Sequence, residues 1–199
     1  MSQQVLIAIS REAGSGGQDI AVGLSERFGL PLYDKRILDQ IAAEHNADPE
    51  TLKRYDEMPR FYGISRTVKG FNNSPTEQVA RLQFDFLSQK AKAGESFIVL
   101  GRCGDELLRK YDNLISIFVL ADIAFKKYRI MENEGIDESD ALARMAHIDR
   151  MRKYYHNQFS RGQWGDSRNY DLCINSGKLG IEGTMNVLEQ YIRARVAAF

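Results

Sequence analysis

Five short apolar runs divide the chain: Val5 to Ile9, Leu30 to Tyr33, Phe97 to Leu100, Ile115 to Leu120 and Leu172 to Ile174. Longer segments in which apolar residues return at helical spacing separate them. Strands that are apolar throughout are buried on both faces, and strands joined through helices pair in parallel. The pattern therefore restricts the fold to an α/β sheet with helical crossovers. At 199 residues the chain fits one domain, which buries about two-thirds of its surface without staples. No internal repeat, low-complexity tract or linker rich in Pro, Gly or Ser divides it.

Helix signals fill the gaps between the runs. Ile20, Leu24 and Phe28 share one face after the first run, and Gly29 stands where a helix end takes a left-handed residue. Ser74, Pro75 and Glu77 supply a cap, a first-turn proline and a capping-box acid ahead of Val79, Leu82 and Phe86, and Gly94 ends that helix. Asp122 caps a helix through Phe125, Tyr128 and Arg129. Asp137 opens a long one with Leu142, Met145, Ile148, Met151 and Tyr155 in phase, and the last helix spans about Ile181 to Val196. Two segments fit the sheet poorly. Residues 56–74 set Arg60, Arg66 and Lys69 among aromatics, show neither period and read as a long loop of the functional or mobile kind. Residues 144–169 gather Arg144, Arg150, Arg152, Lys153 and Arg161 around a tyrosine pair and read as a basic lid.

Between the first run and the first helix lies ISREAGSGGQDIA, residues 9–21. In an open parallel sheet, ligands bind beyond the carboxyl ends of the strands, and this loop is the first such place. Its glycines, Gly14, Gly16 and Gly17, let successive backbone N–H groups converge on an anion, and a helix N-terminus behind them adds positive potential. Glycines in a turn also serve close packing alone, and both readings stand. The phosphate-loop consensus G-x-x-x-x-G-K-[ST] is incomplete here. With Gly16 before the lysine position, Gly17 and Gln18 stand at the lysine and hydroxyl; with Gly17 there, Gln18 and Asp19 do. Neither register restores the lysine. Arg11, Lys35, Arg102 and the cations of the 144–161 group lie near strand ends or on the lid. Arg102 is the best placed, because it follows FIVLG directly and a guanidinium holds phosphate through a planar fork.

Charge and cysteine usage narrow the partners. With 27 basic and 27 acidic residues the chain has no net field to gather nucleic acid or an anionic membrane. The N-terminus MSQQVLIAIS lacks a basic leader region, and no window approaches a membrane span. Cys103 and Cys173 sit apart beside apolar stretches, as reduced core thiols do. These features lead us to expect a cytoplasmic protein.

Taken together, the glycine loop, YDK after the second run, FIVLGRC after the third, Asp149-Arg150-x-Arg152 and WGDSRNYDLCIN before the last helix resemble the cytidylate kinase-like family. The resemblance covers nearly the whole chain. It extends more weakly to cytidylate kinases proper, whose Gly-Arg-Asp segment matches Gly101-Arg102 with Cys103 in place of the aspartate. It implies a three-layer P-loop NTPase-like fold: a five-stranded parallel sheet in the order 2-3-1-4-5 with flanking helices, a helical lid and an acceptor-binding insert. The core would comprise residues 1–34, 95–135 and 170–199, the insert about 35–94 and the lid about 136–169. The implied activity is ATP-dependent phosphorylation of a nucleoside monophosphate, CMP or dCMP first, with Mg²⁺ bridging donor oxygens through ligands the resemblance does not name. Donor binding falls to Arg11, Gly14, Ser15, Gly16, Gly17, Gln18 and Asp19, acceptor binding to Asp34, Lys35, Arg36 and Arg102, and catalysis to Arg102, Arg150 and Arg152.

Several of these residues have a plainer role open to them. Arg150 and Arg152 also fit the solvated face of a long helix. Asp34 reads as a cap for a helix from Lys35 to Glu44 or as a carboxylate near the metal. Trp164 fits a turn anchor, Tyr154, Tyr155 and Phe159 fit helix packing, and His45, His147 and His156 receive no catalytic role. Phe61, Tyr62 and Phe71 suit a homodimer interface, a base pocket or a local minicore. The missing lysine keeps a non-catalytic nucleotide-binding module as the alternative function, beside a kinase for another small acceptor.

Overall fold

Alternate residues of the central strands serve opposite faces of one sheet. Leu6, Ala8, Phe97 and Val99 face a core completed by Ile37, Ile41, Phe86 and Leu87, while Ile7, Ile9, Ile98, Leu100, Ile115, Ile117 and Val119 face a second completed by Ile20, Leu24, Leu188 and Ile192. These contacts are seen in a computed structural model that describes residues 3–44, 48–56, 67–68, 71–72 and 74–199. Strand β1 (Leu6–Arg11) leads through the glycine loop into α1 (Gly17–Phe28), followed by β2 (Leu32–Tyr33), α2 (Ile37–Glu44) and α3 (Pro49–Arg54). A two-stranded antiparallel pair, β3 (Thr67–Val68) with β4 (Phe71–Asn72), precedes α4 (Pro75–Lys92). The chain continues through β5 (Phe97–Leu100), α5 (Gly104–Leu107), β6 (Leu114–Leu120), α6 (Ile123–Glu134), α7 (Glu138–Phe159), β7 (Leu172–Asn175) and α8 (Ser176–Val196).

The large sheet runs β2-β5-β1-β6-β7, every pair parallel. Counting its five strands alone, that is the expected order 2-3-1-4-5. Helices α2 and α4 cover one face, and α1 and α8 the other. Because all strands run the same way, the turns after β1, β5, β6 and β7 gather at one edge. Helices α6 and α7 pack there against Ala13 through Ile130, Ala141 and Met145.

Most local signals act as expected. Gly29 closes α1 in the left-handed region at φ 62°, and Asp137 caps α7 by accepting from the Asp140 N–H at 2.9 Å. Asp122 heads α6 but makes no side-chain cap, because Lys178 and Asn175 of the β7–α8 turn engage its carboxylate at 2.7 and 3.2 Å. Helix α8 starts at Ser176 and kinks at Gly180, so the expected start near Ile181 marks its second segment. The 56–74 stretch holds the β3–β4 pair where we expected only loop; Arg60, Phe61, Tyr62, Arg66, Lys69 and also His45 lie outside the described residues. Both cysteines are free, Cys103 buried and Cys173 half-buried. No helix among the described residues is long and apolar enough to cross a membrane. The Ser74 hydroxyl accepts the Glu77 N–H at 3.2 Å in a buried setting. Ser74→Ala should therefore lower stability by about 1 kcal/mol, read as a shifted urea midpoint with an unchanged slope.

Candidate active site

The glycine loop is shaped by close packing. Its entry is fixed where the Glu12 N–H donates to the Val119 carbonyl at 3.0 Å. Gly14 and Gly16 take φ of 74° and 76°, and a Cβ on Gly14 would stand 2.5 Å from the Lys126 carbonyl oxygen. A Cβ on Gly16 would collide with Ile181, and one on Gly17 would stand 2.5 Å from the Arg11 Cβ. So the packing reading of the glycines holds. Among the described residues, the N–H groups of Gly14 and Gly16 find no acceptor in the chain, and the first-turn N–H groups of α1 lie directly behind them. A cleft of about 340 Å³ opens over the loop, walled also by Arg11, Gln18, Asp19, Arg129 and Arg152. Ser15 does not face it. Its side chain is buried, its hydroxyl donates to the Glu12 carbonyl at 2.8 Å, and its own carbonyl accepts from Ser176 at 2.6 Å.

Helices α6 and α7 supply the facing wall. The Asp149 carboxylate accepts the Ala13 N–H at 2.6 Å, and Lys126 Nζ sits 2.9 Å from Glu12 and 4.0 Å from Asp149. Burial pushes the Asp149 carboxyl above the usual range, against the pull of the Ala13 N–H, Lys126 and Arg152. Arg129 pairs with Asp19 and lies over the Phe125 ring, 5.8 Å from its centroid. Lys126 and Arg129 were absent from the sequence candidates. Their spacing of three, followed by four to the cleft-lining Asn133, is the signal that places them on one helical face.

The two arginines of α7 part company. Arg152 donates to the Arg11 carbonyl at 3.2 Å and lines the cleft. Arg150 is exposed, 3.4 Å from His147 Nδ1, and lines neither this cleft nor the smaller one described below. Two residues of helix turn a side chain through about 200°, so both cannot address one loop.

Across the sheet edge, Arg102 is 2% exposed and ion-paired with Asp56 at 2.5 Å. It occupies an unusual turn. Gly101, Arg102 and Cys103 follow one another with φ of 78°, 53° and 50°, a conformation costing about 1–3 kcal/mol at each non-glycine position. Below it, His156 Nε2 meets Asp105 Oδ2 at 2.8 Å with both side chains buried, and the Cys103 thiol points at the His156 carbonyl at 3.8 Å. A smaller cleft here is lined by Ser10, Arg11, Arg102, Arg152, His156 and Trp164. Arg11 and Arg152 thus line both clefts. Trp164 packs edge-on against Phe118 with centroids 5.2 Å apart, so it anchors its turn while forming part of the wall. Tyr155 and Phe159 pack together at 5.1 Å, whereas Tyr154 is exposed.

Residues 6–178 match the cytidylate kinase-like family. The chain belongs to that family. It is 27% identical to the cytidylate kinase of Methanococcus vannielii over 192 residues, 95% of this chain and all of that one. It is 26% identical to that of Pyrococcus horikoshii, over 95% of this chain and 88% of the relative. The crystal structure of an uncharacterized protein from Eubacterium ventriosum aligns with a TM-score of 0.77 at 37% identity, covering 96% and 99% of the two chains. Shikimate kinase from Acinetobacter baumannii, in complex with shikimate, aligns with a TM-score of 0.56 at 10% identity over 97% and 95%, which places the chain in the P-loop kinase fold. By family and fold it is a nucleoside monophosphate kinase-like phosphotransferase.

In this cytidylate kinase-like chain, Asp34 ties the second strand to the loop. Its buried carboxylate accepts the Arg36 N–H at 2.9 Å, the Arg36 guanidinium at 2.9 Å and the Gln18 amide at 3.2 Å. Helix α2 accordingly begins at Ile37, two residues later than a cap at Asp34 would start it. Lys35 and Arg36 are both exposed. Among the described residues no cluster of three or more His, Cys, Asp or Glu could hold a metal. Burial alone would raise the Asp34 carboxyl, but the Arg36 and Gln18 hydrogen bonds outweigh it and hold it below the usual range. A folded-state value below the unfolded one gives stability that is full above about pH 4 and lost as the pH falls through the lower folded value. Asp34→Asn should therefore be less stable than the parent at pH 7, with the gap closing under acid. Urea titrations across pH would show this, and a gap that persists at pH 2 would contradict it.

Proposed function

We propose that the protein transfers the terminal phosphoryl group of ATP to a nucleoside monophosphate, with CMP or dCMP as the first acceptors to test. The observation that carries this reading is the shared wall: Arg152 lines both the cleft over the glycine loop and the cleft beside Arg102. Phosphoryl transfer requires two phosphates in line and positive charge around the oxygens between them. The loop N–H groups of Gly14 and Gly16, with Gln18 and Asp19 at the start of α1, would cradle the donor. Residues 35–94 would hold the acceptor, whose phosphate meets Arg102 once Asp56 yields it, with Lys35 and Arg36 at the entrance. An acceptor phosphate oxygen then bonds to the terminal phosphorus as its bond to the bridging oxygen breaks, leaving ADP and a nucleoside diphosphate. Residues 136–169 would act as a lid whose Arg152 screens the charge spreading over the equatorial oxygens. A magnesium ion would be held there chiefly by phosphate oxygens and water, and Asp34, ionised but buried and lining neither cleft, would act on it only through Gln18. That ion, when bound, supplies further positive charge to the phosphates.

Gly17 at the lysine position supports a second reading, a nucleotide-binding module without catalysis. Purified protein with ATP, Mg²⁺ and a panel of nucleoside monophosphates in a coupled ADP assay separates the two. Arg152→Ala should lower kcat by about a hundredfold or more, and Arg150→Ala, on the opposite helical face, far less. Arg102→Ala should raise the acceptor KM. No transfer to any monophosphate by the intact protein would favour the module.

A further inference from the structure

The consensus loop runs glycine, four residues, glycine, lysine. Counted on Gly16, this chain carries Arg11 where the consensus has its first glycine and Gly17 where it has its lysine. The two positions have exchanged a cation for a glycine, and the structure gives the exchange a physical form. A Cβ on Gly17 would stand 2.5 Å from the Arg11 Cβ and 2.9 Å from its Cγ. The stem of Arg11 therefore fills the volume that a lysine at position 17 would enter. Among the described residues with side chains only Arg102 and Cys103 have positive φ, so position 11, the last of β1, has no need of glycine's freedom. Its side chain lines both clefts, where the donor and acceptor phosphates of the proposed reaction would meet.

We infer that Arg11 is the cation of this phosphate loop, reaching the donor phosphates from the end of β1 across Gly17, and that Gly17 is glycine because Arg11 occupies its side-chain space. The inference rests on the kinase reading above and deepens it by naming the residue that takes over the lysine's work. A guanidinium suits the place, because its planar fork engages two phosphate oxygens at once and is always charged. Sequence reasoning gave this task first to Arg102, but Arg102 lies in the smaller cleft, bound to Asp56, and does not line the glycine-loop cleft.

The test moves the charge back. Mg-ATP affinity by calorimetry and kcat by coupled assay are measured for the parent, Arg11→Ala, Arg11→Lys, Gly17→Lys and the double variant Arg11→Gly/Gly17→Lys, with thermal unfolding as the check on folding. Arg11→Ala should stay folded while ATP binding weakens about tenfold or more and kcat falls about a hundredfold or more. Gly17→Lys alone should lose binding, since two side chains then compete for one volume. Recovery of about tenfold in either readout by Arg11→Lys or by the double variant, relative to Arg11→Ala, completes the case. The inference is overturned if Arg11→Ala keeps ATP affinity and kcat within about twofold of the parent, or if no relocated or conservative cation recovers its loss. Should the parent transfer phosphate to no monophosphate, the kinase reading fails on its own, and ATP affinity across the same variants still decides the role of Arg11.

Discussion

The carboxyl edge of the sheet depends on a charge cluster around the buried Lys126, behind the glycine loop. Lys126 from α6 stands between Glu12 of the loop and Asp149 of α7, and Asp149 spends one oxygen on the Ala13 N–H. The buried Lys126 ammonium is costly to leave without its carboxylate partners. The glycine loop and the consecutive helices α6 and α7 are fixed relative to one another by that penalty. The loop is therefore already shaped when a ligand arrives, and N–H groups that need no rearrangement are worth more to a phosphate than those of a flexible turn.

The same cluster explains why the glycines cannot be assigned to packing or to anion binding alone. Gly14 lets the loop lie against the α6 backbone at Lys126, and Gly16 lets it lie against Ile181 of α8. Close approach to those two helices leaves no room for a Cβ, and both glycines take positive φ, with N–H groups that find no acceptor among the described residues on either side of the Ser15 N–H, which bonds back to Glu12. Gly16→Val would thus disturb packing and binding together, which is why the informative substitutions lie at side chains such as Arg11 and Arg152.

The strands were legible because burial on both faces leaves an unbroken apolar run, and even the half-buried edge strand β7 keeps Leu172 and Ile174. The glycine loop was legible because its demand is on the backbone, which residue type reports directly. The side-chain constellation was only partly legible. Asp149 and Arg152 share a helical face and Arg150 does not, a distinction present in the spacing but lost when the segment is taken whole from a family resemblance. Pairs such as Arg102 with Asp56 and His156 with Asp105 join positions 46 and 51 residues apart. No periodicity connects them, since tertiary packing alone brings them together.

One of those pairs bears on how the two halves of the site are kept in register. The turn at Arg102 and Cys103 is strained, and strain of this kind persists only where its surroundings hold it. The surroundings here include His156, whose ring meets Asp105 and whose carbonyl faces the Cys103 thiol. His156 lies on the same continuous helix as Asp149 and Arg152. Seven residues of α-helix separate Asp149 from His156, a rise of about 10 Å, and a helix of that length bends little. Helix α7 thus acts as a spacer between the glycine loop and the Arg102 turn, which in the proposed reaction would each hold one phosphate. Because both contacts belong to one helix, any motion that lifts α7 from the glycine loop also loosens the support of the Arg102 turn, so the two clefts gain or lose their geometry together.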